Sequence, residues 1–143
     1  MKLNDYKHCF NLSYDQFISQ HNIHGSQIQE NRRYEKMTNL ILVEMSDDQF
    51  FFFKDSKLKM IYISNDVVAK QLWAEFKNTT EANTPGKIVR SRAGKTANQI
   101  IFAGSGITAS IAGNDVAFIE LYPTCSLQDY LENIYSEVQP FIR

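Results

Sequence analysis

The chain has 143 residues, of which 43% are hydrophobic, 22% charged and 13% aromatic, and its formal net charge is −1. This size and balance predict one globular domain, residues 1–143, with a real core, and exclude an intrinsically disordered segment. A total charge so close to zero argues against nucleic acid as a general partner.

The first residues, Met1-Lys2-Leu3-Asn4-Asp5-Tyr6-Lys7, show no apolar run before a cleavage site. No apolar run exceeds four residues, the length of 40–43 and 50–53, where a membrane-spanning helix needs about 20. The expectation is a cytoplasmic protein with no membrane partner. Cys9 and Cys125 are two distant cysteines, too few for a secreted disulfide framework, and they read as free thiols.

Ser13-Tyr14-Asp15-Gln16 has the form of a capping box, and Tyr14, Phe17, Ile18 and His21 follow at helical spacing. Gly25 is placed to stop that helix. Residues 26–37 are polar and fit either a short helix, through Ser26 and Gln29, or an ordered loop. Strands are predicted over 40–45, 50–53 and 58–63, joined by turns at 46–48 and 54–57. The Phe50 to Phe53 run is apolar on both faces, which predicts a central strand covered on both sides.

Ser64, Asn65 and Asp66 supply caps for a second helix, in which Val68, Leu72 and Phe76 repeat every four residues. After Pro85-Gly86 come a short strand over 87–91 and longer ones over 99–103, 107–112 and 116–121, with glycine turns at 104–106 and 113–115. Ser126 caps a last helix whose apolar stripe runs through Leu127, Tyr130, Leu131, Ile134, Tyr135 and Val138, with Pro140 as its stop. The resulting fold class is α+β: a mainly antiparallel sheet in two meanders, in the order α-βββ-α-βββ(β)-α, with helices packed on the sheet.

Charge is distributed less evenly than its total suggests. Residues 84–114 contain no acid but four cations, Lys87, Arg90, Arg92 and Lys95, leaving 11 cations against 16 acids elsewhere. Gly94-Lys95-Thr96 matches the tail of a phosphate-binding loop, yet Val89 stands where its first glycine belongs and a strand follows where a helix is needed. A nucleotide triphosphatase is therefore rejected. The weaker reading is a recognition surface made of Arg90, Arg92, Lys95 and Thr96, because guanidinium groups without local carboxylates suit phosphate or a partner's acids. Arg32, Arg33 and Tyr34 form a second docking patch, since Tyr and Arg are enriched at interface hot spots. Tyr6, Tyr14 and Tyr122 join Tyr34 as tyrosines expected at the surface.

His21 and His24 stand three apart near a helix end, without a third ligand at recognisable spacing, so no metal or other cofactor is predicted. Cys125 precedes a helix start, where a thiolate would be favoured. Three function classes remain. The first is a small non-enzymatic interaction module, of the inhibitor or immunity type, whose basic strand and glycine-rich meander bind a protein partner with an acidic face. The second is a sensor of an anionic or phosphorylated small molecule. The third is a small phosphoryl-transfer or RNA-cleaving enzyme with His21 or His24 as base and Arg90 or Lys95 as the charge stabiliser. A homodimer through the 99–121 meander is the expected form of any self-association.

Overall fold

The computed structural model describes residues 1–46, 48–91 and 96–136. The elements run α1 (Leu3–His8), α2 (Tyr14–Gln20), β1 (Ile28–Tyr34), β2 (Met37–Ser46), β3 (Gln49–Lys54), β4 (Lys57–Ile63), α3 (Asp66–Lys77), β5 (Lys87–Arg90), β6 (Asn98–Phe102), β7 (Ile107–Ala112), β8 (Asp115–Leu121) and α4 (Leu127–Asn133). All eight strands join one sheet in the order β1-β2-β3-β4-β8-β7-β6-β5, with every neighbouring pair antiparallel. The α+β class with an antiparallel sheet is therefore correct; the first meander has four strands rather than three, and the second has the four strands that its sequence allowed.

The extra strand in the first meander is β1, which lies in the polar stretch expected to be a helix or a loop. Its burial runs from half-buried Ile28 through five exposed residues to buried Tyr34, so no alternation marks it. Asn31 sits at φ 54° and the β1–β2 register shifts twice, which is why a period-two pattern fails. Helix α1 is also additional: its six residues hold only Leu3 and Tyr6 as buried anchors, too few for a visible stripe. Helix α2 begins at the expected capping box, with the Gln16 N–H donating to Ser13 Oγ at 3.2 Å and the Ser13 N–H to Gln16 Oε1 at 2.9 Å. It ends at His21 rather than at Gly25, which instead opens a short 3-10 turn.

Side chains alternate across the strands and divide the interior in two. On one face, Val43, Phe51, Phe53, Ile61, Ile63, Ile107, Ala109, Ile119 and Leu121 meet Leu3 and Tyr6 of α1, Phe17 of α2, and Ala69, Leu72 and Phe76 of α3. On the other, Leu40, Leu42, Phe52, Met60 and Ile101 meet Tyr34, Tyr122, Tyr130, Ile134 and Tyr135. Phe51 and Phe53 point one way and Phe52 the other, as the four-phenylalanine run predicted, and all three are buried. Asn65 caps α3 by accepting the Val68 N–H at 3.1 Å, and α3 lies on β8. Ser126 caps α4 by accepting the Asp129 N–H at 3.1 Å. Helix α4 closes at Asn133, short of the predicted stop; Val138 and Pro140 lie outside the described residues. Among the described residues, no helix is long and apolar enough to cross a membrane.

The sheet curls strongly. Tyr34 on β1 donates its hydroxyl to Glu120 Oε2 on β8, four strands away, a span of ~19 Å in a flat sheet. No tyrosine bridges such a distance, so β1 must fold over the second face. Just beyond it, Lys36 Nζ donates to the Leu131 carbonyl of α4 at 3.1 Å. The first hairpin and the last helix thus meet across the sheet.

Candidate functional site

Two regions compete as the functional surface, and each contains residues the sequence singles out. The first is the second face itself. Glu120, Gln99, Thr108 and Ser110 are fully buried there, all from the second meander. Burying a carboxylate is costly unless hydrogen bonds replace its water. Tyr34 and Tyr130 supply them, each donating its hydroxyl to one Glu120 oxygen. Gln99 Nε2 donates to the Tyr130 hydroxyl at 3.3 Å, and the Thr108 and Tyr122 hydroxyls lie 2.9 Å apart. A further pair, Ser91 and Ser110, meets at 2.6 Å.

Burial first, and then the Glu120 charge, pushes the Tyr130 hydroxyl far up from its ordinary value. Burial does the same to Tyr122, with Thr108 partly opposing it and Glu120 adding to it. Both phenols therefore stay protonated at neutral pH. The arrangement joins β1, β6, β7, β8 and α4 through polar contacts inside an otherwise apolar layer.

Beside this cluster a groove of about 330 Å³ opens, lined by Arg32, Arg33, Tyr34, Phe50, Phe52 and Tyr62 among others. The rings form a continuous run: Tyr34 lies 5.1 Å from Phe52 and 5.6 Å from Tyr62, and Tyr62 lies 5.2 Å from Phe118. Arg32 and Arg33 are exposed at the rim. Tyr34 is buried, 7% exposed, and so are Tyr6 and Tyr122; these three tyrosines are interior residues rather than surface ones. Tyr14 is half-buried.

The second region is strand β5, where Arg90 lies. This strand is the last of the sheet order and pairs only with β6 among the described strands. Lys87, Ile88 and Arg90 are exposed. Ile88 is 61% exposed, against 2% for Ile101 on the neighbouring strand. Among the described residues, no carboxylate pairs with Lys87 or Arg90. At the start of β5, Lys87, Pro85, Ile101 and Leu127 line a hollow of about 220 Å³. Leu127, 38% exposed, is a second uncovered apolar side chain there. Thr96 is exposed in the turn that leads into β6, while Arg92 and Lys95 lie outside the described residues.

Arg32 and Arg33 lie on β1 and Arg90 on β5, the two end strands of the sheet order. Of the strands over 99–121, β6 and β7 are paired on both sides and β8 meets β4 over Ile119–Leu121; β5 is the end strand of that meander. His21 packs on Phe17 at 4.6 Å, and Phe17 packs on Phe51 and Phe53 of β3. Four strands, β4, β8, β7 and β6, stand between β3 and β5. His24 is exposed and lies past the end of α2, so it shares no helix face with His21. Cys125 is half-buried; burial, then Asp129, pushes its thiol up, the opposite of an activated nucleophile. Among the described residues, no three His, Cys, Asp or Glu side chains gather in a way that could hold a metal.

The Glu120 cluster is the feature that sequence reasoning missed. Its signal was present in Thr108 and Ser110 alternating with Ile107, Ala109 and Ile111: a polar face on a central strand needs polar partners. The sequence does not say that those partners are tyrosines from both ends of the chain. No family model, curated protein or solved structure matches this chain.

Proposed function

We propose that this chain is a non-enzymatic interaction module of the inhibitor or immunity type, which binds a protein partner carrying an acidic face through β5 and its flanks. The observation that carries the reading is the end strand of the sheet order, which among the described residues pairs on one side alone and combines Lys87, Arg90 and the 61%-exposed Ile88, with no described acid matching the two cations. Edge strands are ordinarily guarded, because an open edge is a template for another chain. Lys87 alone would serve as a guard. An exposed isoleucine beside it works against that purpose and suits an interface with an apolar centre and a charged rim.

Thr96, exposed in the turn before β6, extends the proposed surface; the expected roles of Arg92 and Lys95 fall outside the described residues. Arg32 and Arg33 provide the second candidate surface, at the groove on the opposite edge strand. The test is capture of a stoichiometric protein partner on the immobilised chain, repeated with Lys87→Glu/Arg90→Glu. The charge reversal should weaken the complex at least tenfold, and should do so more at low salt than at high salt, where exposed charges are screened. An unchanged affinity removes this surface from the reading. Loss of binding on Arg32→Glu/Arg33→Glu alone moves the interface to the groove.

A further inference from the structure

Resting on that reading, we infer that the partner engages β5 by adding a strand to it, and that the added segment has the pattern acid, any residue, apolar residue, acid. The backbone phase leads to this. The Ser91 N–H donates to the Ala97 carbonyl at 3.1 Å, so Ser91 and Ala97 form a hydrogen-bonded pair. Such pairs recur at every second residue of an antiparallel ladder. Val89, opposite Gln99, and Lys87, opposite Ile101, therefore turn their backbone groups toward β6. Ile88 and Arg90 turn theirs outward. An independent contact agrees: the Arg90 carbonyl accepts the Tyr135 hydroxyl at 2.8 Å, which requires that it point away from β6.

Three outward groups remain for a partner strand, the N–H and C=O of Ile88 and the N–H of Arg90. The face assignment fixes the side chains. Val89 packs with the second-face cluster, and Lys87, two residues before it, shares that face. Ile88 and Arg90 share the other. An antiparallel strand laid along β5 thus meets Arg90 first with an acid. An unconstrained residue lies opposite Val89, an apolar side chain beside Ile88, and a second acid at Lys87. A second copy of β5 would bring two more cations and no acid to the same edge, so the occupant is a different chain. The opposite edge is unsuited to strand addition, since β1 shifts register twice and carries a left-handed residue at Asn31.

The experiment is a titration of the full ¹⁵N-labelled chain with the peptide acetyl-Thr-Glu-Thr-Val-Glu-Thr-amide, and with the same peptide carrying lysine for glutamate. Strand addition predicts that the acidic peptide binds and slows amide exchange at Ile88 and Arg90, while Lys87 and Val89, already bonded to β6, change little. The lysine peptide should bind at least tenfold more weakly. Ile88→Pro removes one outward donor and keeps both cations; it should lower affinity at least tenfold, while Ile88→Ala lowers it less. If Ile88→Pro does not fold, the exchange pattern of the native chain decides alone. Binding that depends on Lys87 and Arg90 but leaves the Ile88 and Arg90 amides unprotected overturns strand addition and leaves the acidic-partner reading standing. Equal binding of the lysine peptide, or no binding of the acidic one at millimolar concentration, overturns the inference. Partner capture with the charge-reversed chain then judges the broader reading separately.

Discussion

At the scale of single residues, the most consequential side chain is Glu120. It sits at the centre of the sheet, opposite Tyr62 on β4 and Thr108 on β7, with no exposed surface. Tyr34 and Tyr130 turn their hydroxyls onto the carboxylate and replace part of the water it gives up. Removing one donor costs more than an ordinary neutral hydrogen bond, because a hydrogen bond to a buried charged group contributes about 1.5–3 kcal/mol. Tyr34→Phe and Tyr130→Phe should each destabilise the fold by about 1–3 kcal/mol. Equilibrium urea unfolding measures this, and a change under about 0.5 kcal/mol, the range of ordinary surface substitutions, would show that the hydroxyls do not support the carboxylate. Tyr34→Phe should also loosen the β1–β2 hairpin, because the lost bond, like that of Lys36 to the Leu131 carbonyl, reaches across the sheet.

At the scale of elements, turn geometry governs the second meander. Gly106 closes the β6–β7 connection at φ 66°, and a Cβ there would lie 2.2 Å from the Tyr122 carbonyl oxygen. Its own carbonyl accepts the Tyr122 N–H at 3.0 Å, so the backbone cannot retreat without losing that bond. Gly106→Ala combines left-handed strain of ~1–2 kcal/mol with a backbone clash, and should destabilise by more than either Gly104→Ala or Gly25→Ala, where a Cβ meets nothing within 4 Å. Thermal melts of the three variants test the ranking.

Strands with apolar runs and helices with explicit caps were legible: β3 through Phe51 to Phe53, α2 through Ser13 and Gln16, α3 through Asn65. The elements missed were those stabilised from outside themselves. Strand β1 is polar because it is an edge, and it is held by Tyr34 reaching Glu120, 86 positions later in the chain. Helix α1 is anchored by long-range contacts, including the Leu3 N–H to Glu75 Oε1 at 3.3 Å. For the candidate site, the unbalanced cations of 84–114 could be counted in the sequence. That Lys87 and Arg90 would border an open edge could not, because strand order is a property of the whole sheet.

At the scale of the whole molecule, the loss of buried protons should limit stability at high pH. Burial pushes the Tyr6 hydroxyl up from 10.0 to about 12, with Cys9 adding to the effect. Burial, then Asp5, pushes the Cys9 thiol up from 9.0 to about 11. Both groups are neutral when protonated and hold that proton more tightly folded than unfolded. The unfolded chain therefore releases protons first, and stability must fall as pH rises. The decline should begin near pH 9 and steepen between pH 10 and 12, as urea midpoints taken across that range would show. Cys9→Ala should flatten the pH 9–11 portion, and a profile identical to the parent would refute the assignment.

The sheet order places β4 against β8, the last strand of each meander, and their register rests on three pairs: Ile61 with Leu121, Tyr62 with Glu120, and Ile63 with Ile119. This seam is narrow, yet α3, which belongs to the first half of the sequence, lies on β8 of the second. The polypeptide is thus two ribbons stitched along a short border, with a clasp sewn to one and fastened to the other. Severing the connection between α3 and β5 would leave each fragment with a naked inner strand, and the first with a helix stripped of its seat on β8. Reassembly from separate pieces is the behaviour that such a construction favours.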